Sequence, residues 1–268
     1  MSSGVDSGTG RLLGRRDGQI GWMTFNNPER RNAISLDMWA GIPRVIEAFE
    51  ADPEIRVIVL AGAGEKAFVA GADISQFETS RGDAASDSVY TGDANRASAA
   101  LVHTPKPTIA MIRGYCIGGG LGVALTCDLR ICADDARFAI PAAKLGLGYR
   151  LDAVRELVDV VGPSYAKEIL FTGRQFDAQE ALAMGLVNKV VPVAELETTV
   201  RSYAGMMGQN APLTIKASKM AVREVLRDAE RRRTAEVDAA VKACFDSADF
   251  REGRRAFMEK RPPVFRGE

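Results

Sequence analysis

The chain has 268 residues, 35 Lys and Arg against 35 Asp and Glu, one His, four Cys, 46% hydrophobic and 7% aromatic residues. That length suits one large α/β domain, or one domain with a helical extension, and the balanced charge excludes a global basic field for nucleic acid or an anionic membrane. One histidine excludes zinc or iron sites that need two, and the uneven cysteines (116, 127, 132 and 244) match neither a disulfide framework nor a zinc site.

In chain order, residues 1–10 (MSSGVDSGTG) are Ser/Gly-rich, with no cationic start or apolar segment, and read as a disordered lead-in rather than a signal peptide. Residues 11–25 read as a hairpin turning at Asp17 and Gly18. NNPERRNAI is a loop, and a helix begins near Ser35. RVIVLAGA (56–63) is a continuous apolar run of the kind a buried parallel strand requires. GEKAFVAGA reads as loop, with a helix start at Asp73 and Gln76 at the capping-box position. Residues 78–93, rich in Ser, Gly and Asp, read as a mobile loop. PTIAMIRG (107–114) is the next strand, GGGLGVALTCD (118–128) opens a small-residue helix, and 129–133 and 137–140 are short strands. From about 152 to 260 the pattern is mostly helical, with seams at Gly162-Pro163, the short strand LVNKVV, Pro192 and Ala211-Pro212. The longest charge-free stretches, 114–127 and 202–215, are 14 residues each, too short to span a bilayer. These features predict a soluble cytoplasmic protein.

Two glycine clusters can carry chemistry. In YCIGGGLGVAL a strand runs into a helix through three glycines. The unpaired N–H groups of such a first turn can bind an anion or stabilise a developing oxyanion, and the same glycines also permit close helix–strand packing. In GAGEKAFVAGADI, Gly62, Gly64 and Ala67 fit a loose dinucleotide fingerprint, but the helix starts too far behind them for a normal βαβ unit. A Ser-His-Asp triad would have to use His103, which sits before prolines at a helix end and reads as a surface residue. Chemistry here falls to carboxylates, Tyr, Cys or backbone groups.

NNPERRNAI, EKAFVAGADI, KPTIAMIRGYCIGGGLGVALTCDLRICADDARF, FTGRQFDAQEALAMGLVNKVV and REGRRAFMEKRPPVF follow one another in this order. Together, over about residues 12–266, they resemble the enoyl-CoA hydratase/isomerase (crotonase) superfamily. The resemblance implies an α/β fold, a spiral of ββα units (11–200) followed by a helical trimerisation region (201–268). It also implies a homotrimer or homohexamer, an acyl-CoA thioester as substrate, and no cofactor beyond the coenzyme A of that substrate.

By motif position, the resemblance places an oxyanion hole at the backbone N–H groups of Ala72 and Gly119. A proton, carbon dioxide or water leaving or joining next to a thioester puts negative charge on its oxygen, and each fixed donor is worth about 3–4 kcal/mol there. Ala70, Asp73, Ile74 and Ser75 are expected to flank pantetheine and adenine, with Arg30, Arg31 and Ala33 near the coenzyme A entrance and Tyr115 in the same region. Phe257 and Lys260 match positions that reach coenzyme A from an adjacent subunit.

In the resemblance, hydratases carry one glutamate in GGG-x-E and a second in a P-E pair. This chain has Gly122 and Ala142 at those positions. The segment after Ala142 supplies substitutes. Asp152 is expected either as a proton shuttle or as the cap of the following helix, Tyr149 and Arg150 can orient a carboxylate-bearing acyl group, Leu145 lines the same region, and Glu156 reads as surface or structural. Four functions stay open: hydration or dehydration of an enoyl-CoA, double-bond isomerisation, decarboxylation of a malonyl-type acyl-CoA, and non-catalytic acyl-CoA binding. A basic stripe at Lys216, Lys219, Arg223, Arg227 and Arg231 is interrupted by Glu224, Asp228 and Glu230 and reads as helical charge pairing rather than an RNA surface.

Overall fold

The computed structural model describes residues 4–73 and 84–268, with backbone alone over 84–90. Strands Leu12–Asp17 (β2) and Ile20–Phe25 (β3) form the expected hairpin, pairing Asp17 with Ile20 across Gly18 and Gln19. Gly18 takes φ +58°, which suits so tight a connection. The lead-in is a correction. Gly4–Val5 (β1) adds antiparallel to β2, and the buried Ser7 hydroxyl donates to the Leu12 carbonyl, so residues 4–10 are ordered.

Val57–Gly62 (β4), Ala67–Val69 (β5), Thr108–Ile112 (β6), Tyr115–Ile117 (β7), Leu129–Ala133 (β8), Arg137–Ala139 (β9), Phe176–Asp177 (β10) and Lys189–Val191 (β11) complete two sheets. The larger runs β1-β2-β3-β4-β6-β8-β11 and is parallel from β3 onward; the smaller runs β10-β9-β7-β5. Helices Leu36–Ala51 (α1), Ala84–His103 (α2), Gly119–Thr126 (α3) and Leu151–Thr172 (α4) follow successive strand pairs. After the hairpin β2–β3, whose strands both lie in the larger sheet, the pairs β4–β5, β6–β7 and β8–β9 each lay one strand in each sheet before a helix, the expected ββα spiral. Continuous apolar strands are explained by burial on both faces. Ile58 and Leu60 join the main core, while Val57 and Val59 join a second cluster with Val200 and Ala204.

Residues 67–69, read as loop from the sequence, form β5, because three residues are too few for periodicity to register. This strand also disposes of the dinucleotide fingerprint: Gly62 to Ala67 joins strand to strand, with no helix behind it. The described part of the expected 78–93 loop, from Ala84, is helical. The expected helix start at Asp73 lies, beyond Asp73 itself, outside the described residues. α4 breaks at Gly162, φ +73°, immediately before Pro163, as the seam predicted.

Ala178–Ala183 (α5), Leu196–Gly208 (α6), Pro212–Val225 (α7), Thr234–Asp246 (α8) and Ala248–Met258 (α9) finish the chain. The expected division at residue 200 cuts through α6, whose Leu196, Val200 and Ala204 pack on the large sheet. The change in architecture comes at Ala211-Pro212, where α7 begins. Among the described residues no helix is long and apolar enough to cross a membrane.

Candidate active site

β5 and β7 lie side by side and parallel, Ala67 opposite Tyr115 and Val69 opposite Cys116. Their following loops therefore emerge at one edge, where open parallel sheets place ligands. Residues 70–73 follow β5, while Gly118 and the start of α3 follow β7. Gly71 (φ +105°) and Gly118 (φ +54°) turn the two loops into contact, so that a Cβ on Gly118 would lie 3.9 Å from Gly71 Cα. A Cβ on Gly119 would lie 3.8 Å from the Ala72 nitrogen and 3.8 Å from Cζ2 of the buried Trp39. Gly120 has a different task. Its Cβ would meet the Val69 carbonyl oxygen at 2.1 Å, so α3 can pack on β5 only with glycine there. The cluster thus serves both helix–strand packing and close approach, at adjacent residues.

Ala72 forms an isolated parallel bridge with Ile34. The Ile34 N–H donates to the Gly71 carbonyl (2.9 Å) and the Asp73 N–H donates to the Ile34 carbonyl (3.0 Å). In that pattern the residue between the two bonds turns its own N–H to the opposite side. Gly119 opens α3, so its N–H has no partner one turn back and sits at the positive end of the helix. Neither the Ala72 nor the Gly119 N–H donates to another described residue. Two such donors from adjoining loops can hold an oxygen that becomes anionic.

The loop 27–34 backs this crevice. Arg30 Nη1 donates to both carboxylate oxygens of Asp73, at 2.8 and 3.1 Å, and Asp73 is only 8% exposed. Arg31, in the left-handed region at φ 52°, holds its guanidinium 4.9 Å from the ring centre of Tyr115. The Ala70 N–H donates to the Arg31 carbonyl at 3.0 Å, and Ala33 is buried. Asn32 is fully buried and links the loop to Ala63 and Ala67 through its Nδ2 and to Asn27 through its Oδ1. Arg30, Arg31, Ala33, Ala70, Ala72, Asp73, Tyr115 and Gly119 are thus gathered on the loops 27–34 and 70–73, on β7 and on the start of the helix that follows it. Ile74 and Ser75 lie outside the described residues. Sequence spacing did not single out Trp39 or the Arg30–Asp73 pair, because 43 residues separate the paired side chains.

Gly122 lies in α3 one turn beyond Gly118, and nothing stands within 4 Å of a Cβ built on it. Ala142 is buried in the main core, in the turn Pro141–Leu145. Leu145 is 64% exposed, Tyr149 packs half-buried against the core, and Arg150 is the exposed residue preceding α4.

Asp152 departs from its expected role as a helix cap. α4 begins at Leu151 with Arg150 in the cap position, so Asp152 is already inside the first turn and caps nothing. It is exposed and lines a crevice of about 690 Å³ together with Glu156, Asp159 and the Leu125–Thr126–Cys127 end of α3. No residue of 70–73 or 118–122 lines that crevice. Glu156 is half-buried there. Burial, reinforced by the neighbouring Asp152 and Asp159 charges, raises its pKa to about 7.

Phe257 lies in the last turn of α9 and Lys260 two residues beyond its end. Phe257 is 82% exposed and lines an apolar cavity of about 790 Å³ between α7, α8 and α9, and Lys260 is exposed with φ 53°. Burial pushes the Cys127 and Cys132 thiols up to about 12 and that of Cys116 well up, which leaves all three inert as nucleophiles. Within the basic stripe, Lys219 pairs with Asp128 and Arg227 with the buried Glu224, which Arg233, just beyond the stripe, also meets. His103 ends α2 with Nδ1 2.8 Å from the Ala99 carbonyl oxygen.

Comparison with known proteins agrees with this architecture. A model of the enoyl-CoA hydratase/isomerase family matches residues 15–268. The short-chain-enoyl-CoA hydratase of Clostridium acetobutylicum is 35% identical over 246 residues, covering 92% of this chain and 94% of the relative. The carnitinyl-CoA dehydratase of Escherichia coli K12 is 36% identical, covering 94% and 97%. A crystal structure of an enoyl-CoA hydratase/carnithine racemase from Magnetospirillum magneticum superposes with a TM-score of 0.91 at 35% identity, covering 100% of this chain and 97% of that one. With the spiral, the paired loops and these likenesses in place, the chain belongs to the enoyl-CoA hydratase/isomerase family.

Proposed function

We propose that the protein is an acyl-CoA lyase that hydrates an enoyl-CoA or dehydrates a 3-hydroxyacyl-CoA. The observation that carries this reading is the pair of uncommitted amides, Ala72 and Gly119, on loops that leave adjacent parallel strands. The thioester oxygen binds between them. As water adds to the β-carbon, charge moves onto that oxygen, and the hydrogen bonds it accepts from both N–H groups strengthen without any reorganisation of the protein. That differential is what lowers the barrier. Relatives named as a short-chain-enoyl-CoA hydratase and a carnitinyl-CoA dehydratase support the substrate class.

The proton transfers differ from those of a site with two glutamates. Gly122 and Ala142 bring no acid or base. Water in the open space before Gly122 takes over the transfer to the α-carbon, and Tyr149 and Arg150 orient the acyl group. A positioned carboxylate is worth about 10²–10⁴ in rate, so hydration proceeds slowly unless the true substrate supplies a group of its own. A second reading follows from the same absence. A malonyl-type acyl-CoA needs enolate stabilisation more than an acid–base pair, and Arg150 can hold the departing carboxylate.

The protein works as a cytoplasmic homotrimer or homohexamer. The apolar cavity of α7–α9 and the exposed Phe257 and Met258 beside it supply the contact between copies. The experiment follows loss of the enoyl absorbance with crotonyl-CoA, then offers methylmalonyl-CoA and a 3-enoyl-CoA. Turnover of crotonyl-CoA supports the lyase, and carbon dioxide from methylmalonyl-CoA supports the second reading. Tight binding of all three without turnover leaves a non-catalytic acyl-CoA binder.

A further inference from the structure

The direction of the Ala72 N–H is a property of how residues 70–73 are held. Their described partners concentrate in 30–34. The Ala70 N–H donates to the Arg31 carbonyl, the Ile34 N–H to the Gly71 carbonyl, and the Asp73 N–H to the Ile34 carbonyl. These three bonds are main-chain and survive side-chain substitution. The pair Arg30–Asp73 adds a side-chain link, with one guanidinium nitrogen in contact with both carboxylate oxygens. It closes the ladder at the residue immediately after Ala72. The carboxylate is buried and the Arg30 side chain is 54% exposed, so the cation reaches in from the rim to an anchored anion.

The loop that carries Arg30 is itself fixed. Asn32, buried at φ 57°, bonds through its side chain to Asn27, Ala63 and Ala67. Arg31 rests over Tyr115 in β7, the strand that delivers Gly119. The ion pair therefore refers the Ala72 amide to the same framework that positions the Gly119 amide. A charge-assisted bond of this kind, at a half-buried site, resists the small rotations of residues 72 and 73 that main-chain bonds alone leave open.

We propose that Arg30 and Asp73 are positioning residues that set the aim of the Ala72 N–H at the thioester oxygen, an inference that rests on the oxyanion reading above. Neither side chain touches the reacting atoms. Their effect reaches the reaction through the main chain, so it falls on turnover and carbonyl polarisation rather than on affinity for the coenzyme A ester.

The test uses the full-length protein, Arg30→Gln, Arg30→Lys and Asp73→Asn. Butyryl-CoA with ¹³C at the thioester carbonyl is the probe, because it has no double bond to hydrate. Infrared difference spectra report the carbonyl stretch of the bound ester, calorimetry its affinity, and turnover is followed with the substrate that proves active. The wild-type protein is expected to lower the stretch of bound butyryl-CoA. Arg30→Gln is expected to lose much of that downshift and about 10- to 100-fold in kcat, with KM and butyryl-CoA affinity within about threefold. Arg30→Lys is expected to recover part of both. If Asp73→Asn fails to fold, the Arg30 variants carry the test, since that side chain lies at the rim. A wild-type downshift that Arg30→Gln retains in full overturns the proposal, and so does a loss of thermal stability with the carbonyl band unmoved. No downshift in the wild-type protein overturns the oxyanion reading itself, and the positioning role with it.

Discussion

The spiral core and the last three helices are stabilised in different ways. In the core, β4, β6 and β8 are buried on both faces, and α3 approaches β5 so closely that Gly120 has no room for a Cβ. Beyond Pro212 the balance reverses. α8 has no buried residue, α7 buries Ala217 and Glu224, and α9 buries Asp249 and Ala256. Ion pairs do much of the holding there: Arg233 on Glu224 and Arg261 on Glu252 draw both carboxyls down to about 2. Large apolar side chains such as Phe245, Phe257 and Met258 remain exposed around an open apolar cavity. A main-chain site demands rigid surroundings, and the core supplies them. The C-terminal helices leave an apolar surface open in the single chain, as the proposed contact between copies requires.

The largest expected effect lies in the core. In Gly120→Ala the new Cβ would sit 2.1 Å from the Val69 carbonyl oxygen, and backbone must move to admit it. Both loops of the site depend on that contact, so the variant is expected to lose soluble folded protein or all acyl-CoA turnover. Expression yield and circular dichroism followed by activity check this. Normal activity in Gly120→Ala would show that α3 is less tightly set against β5 than the contact implies.

Two residues along the same helix the expectation has the opposite sign. Gly122 faces open space, so a side chain fits, and replacing a helical glycine adds about 0.5–1 kcal/mol of stability. Gly122→Glu is expected to fold as well as the wild-type protein and to raise crotonyl-CoA hydration about 10²-fold, by supplying a carboxylate where water alone acts. Unchanged hydration with normal folding would mean that the space before Gly122 does not face the acyl β-carbon.

The C-terminal half of the comparison is tested by Phe257→Asp combined with Met258→Asp. Both side chains are about four-fifths exposed in the single chain, so folding of the chain itself should hardly change. Light scattering is expected to show a smaller species than the wild-type assembly. An unchanged mass would place the contact between copies elsewhere.

Much of this contrast was legible in the sequence. The apolar run at β4 marked a parallel strand and that at β6 a strand, and the motifs around Ala72 and Gly119 marked the two loops. The second sheet was not legible, since β5, β7 and β10 have only two or three residues each and carry no periodic signal. Arg30 and Asp73 were each noticed as binding candidates but not as partners, because local spacing says nothing about a contact across 43 residues. Asp152 was misjudged for a related reason. As a cap it would precede a helix beginning at Ala153, but the helix begins two residues earlier, at Leu151, and Asp152 lines a crevice with Glu156 and Asp159.

That crevice yields the effect most dependent on conditions, at Glu156. Its carboxyl has a pKa near 7 in the folded protein and about 4.5 when unfolded. Asp152 and Asp159 flank it on its own helix, and the nearest ion pairs of the facing Arg223 and Arg227 are with Glu224. Below about pH 4.5 the carboxyl is neutral in both states and costs nothing. As pH rises toward 7 the unfolded chain ionises first, so stability is lost through that window and levels off above it. The cost reaches up to about 3 kcal/mol at pH 8. Glu156→Gln keeps the shape and removes the charge, so its unfolding free energy should exceed the wild-type value at pH 8 and match it near pH 4.5. Denaturant titrations at the two pH values measure the difference directly. A glutamine variant weaker than wild type at pH 8 would mean that the ionised carboxylate is held by one of the arginines, making this crevice a stabilising ion cluster like those of the C-terminal helices instead of a strained pocket of the core.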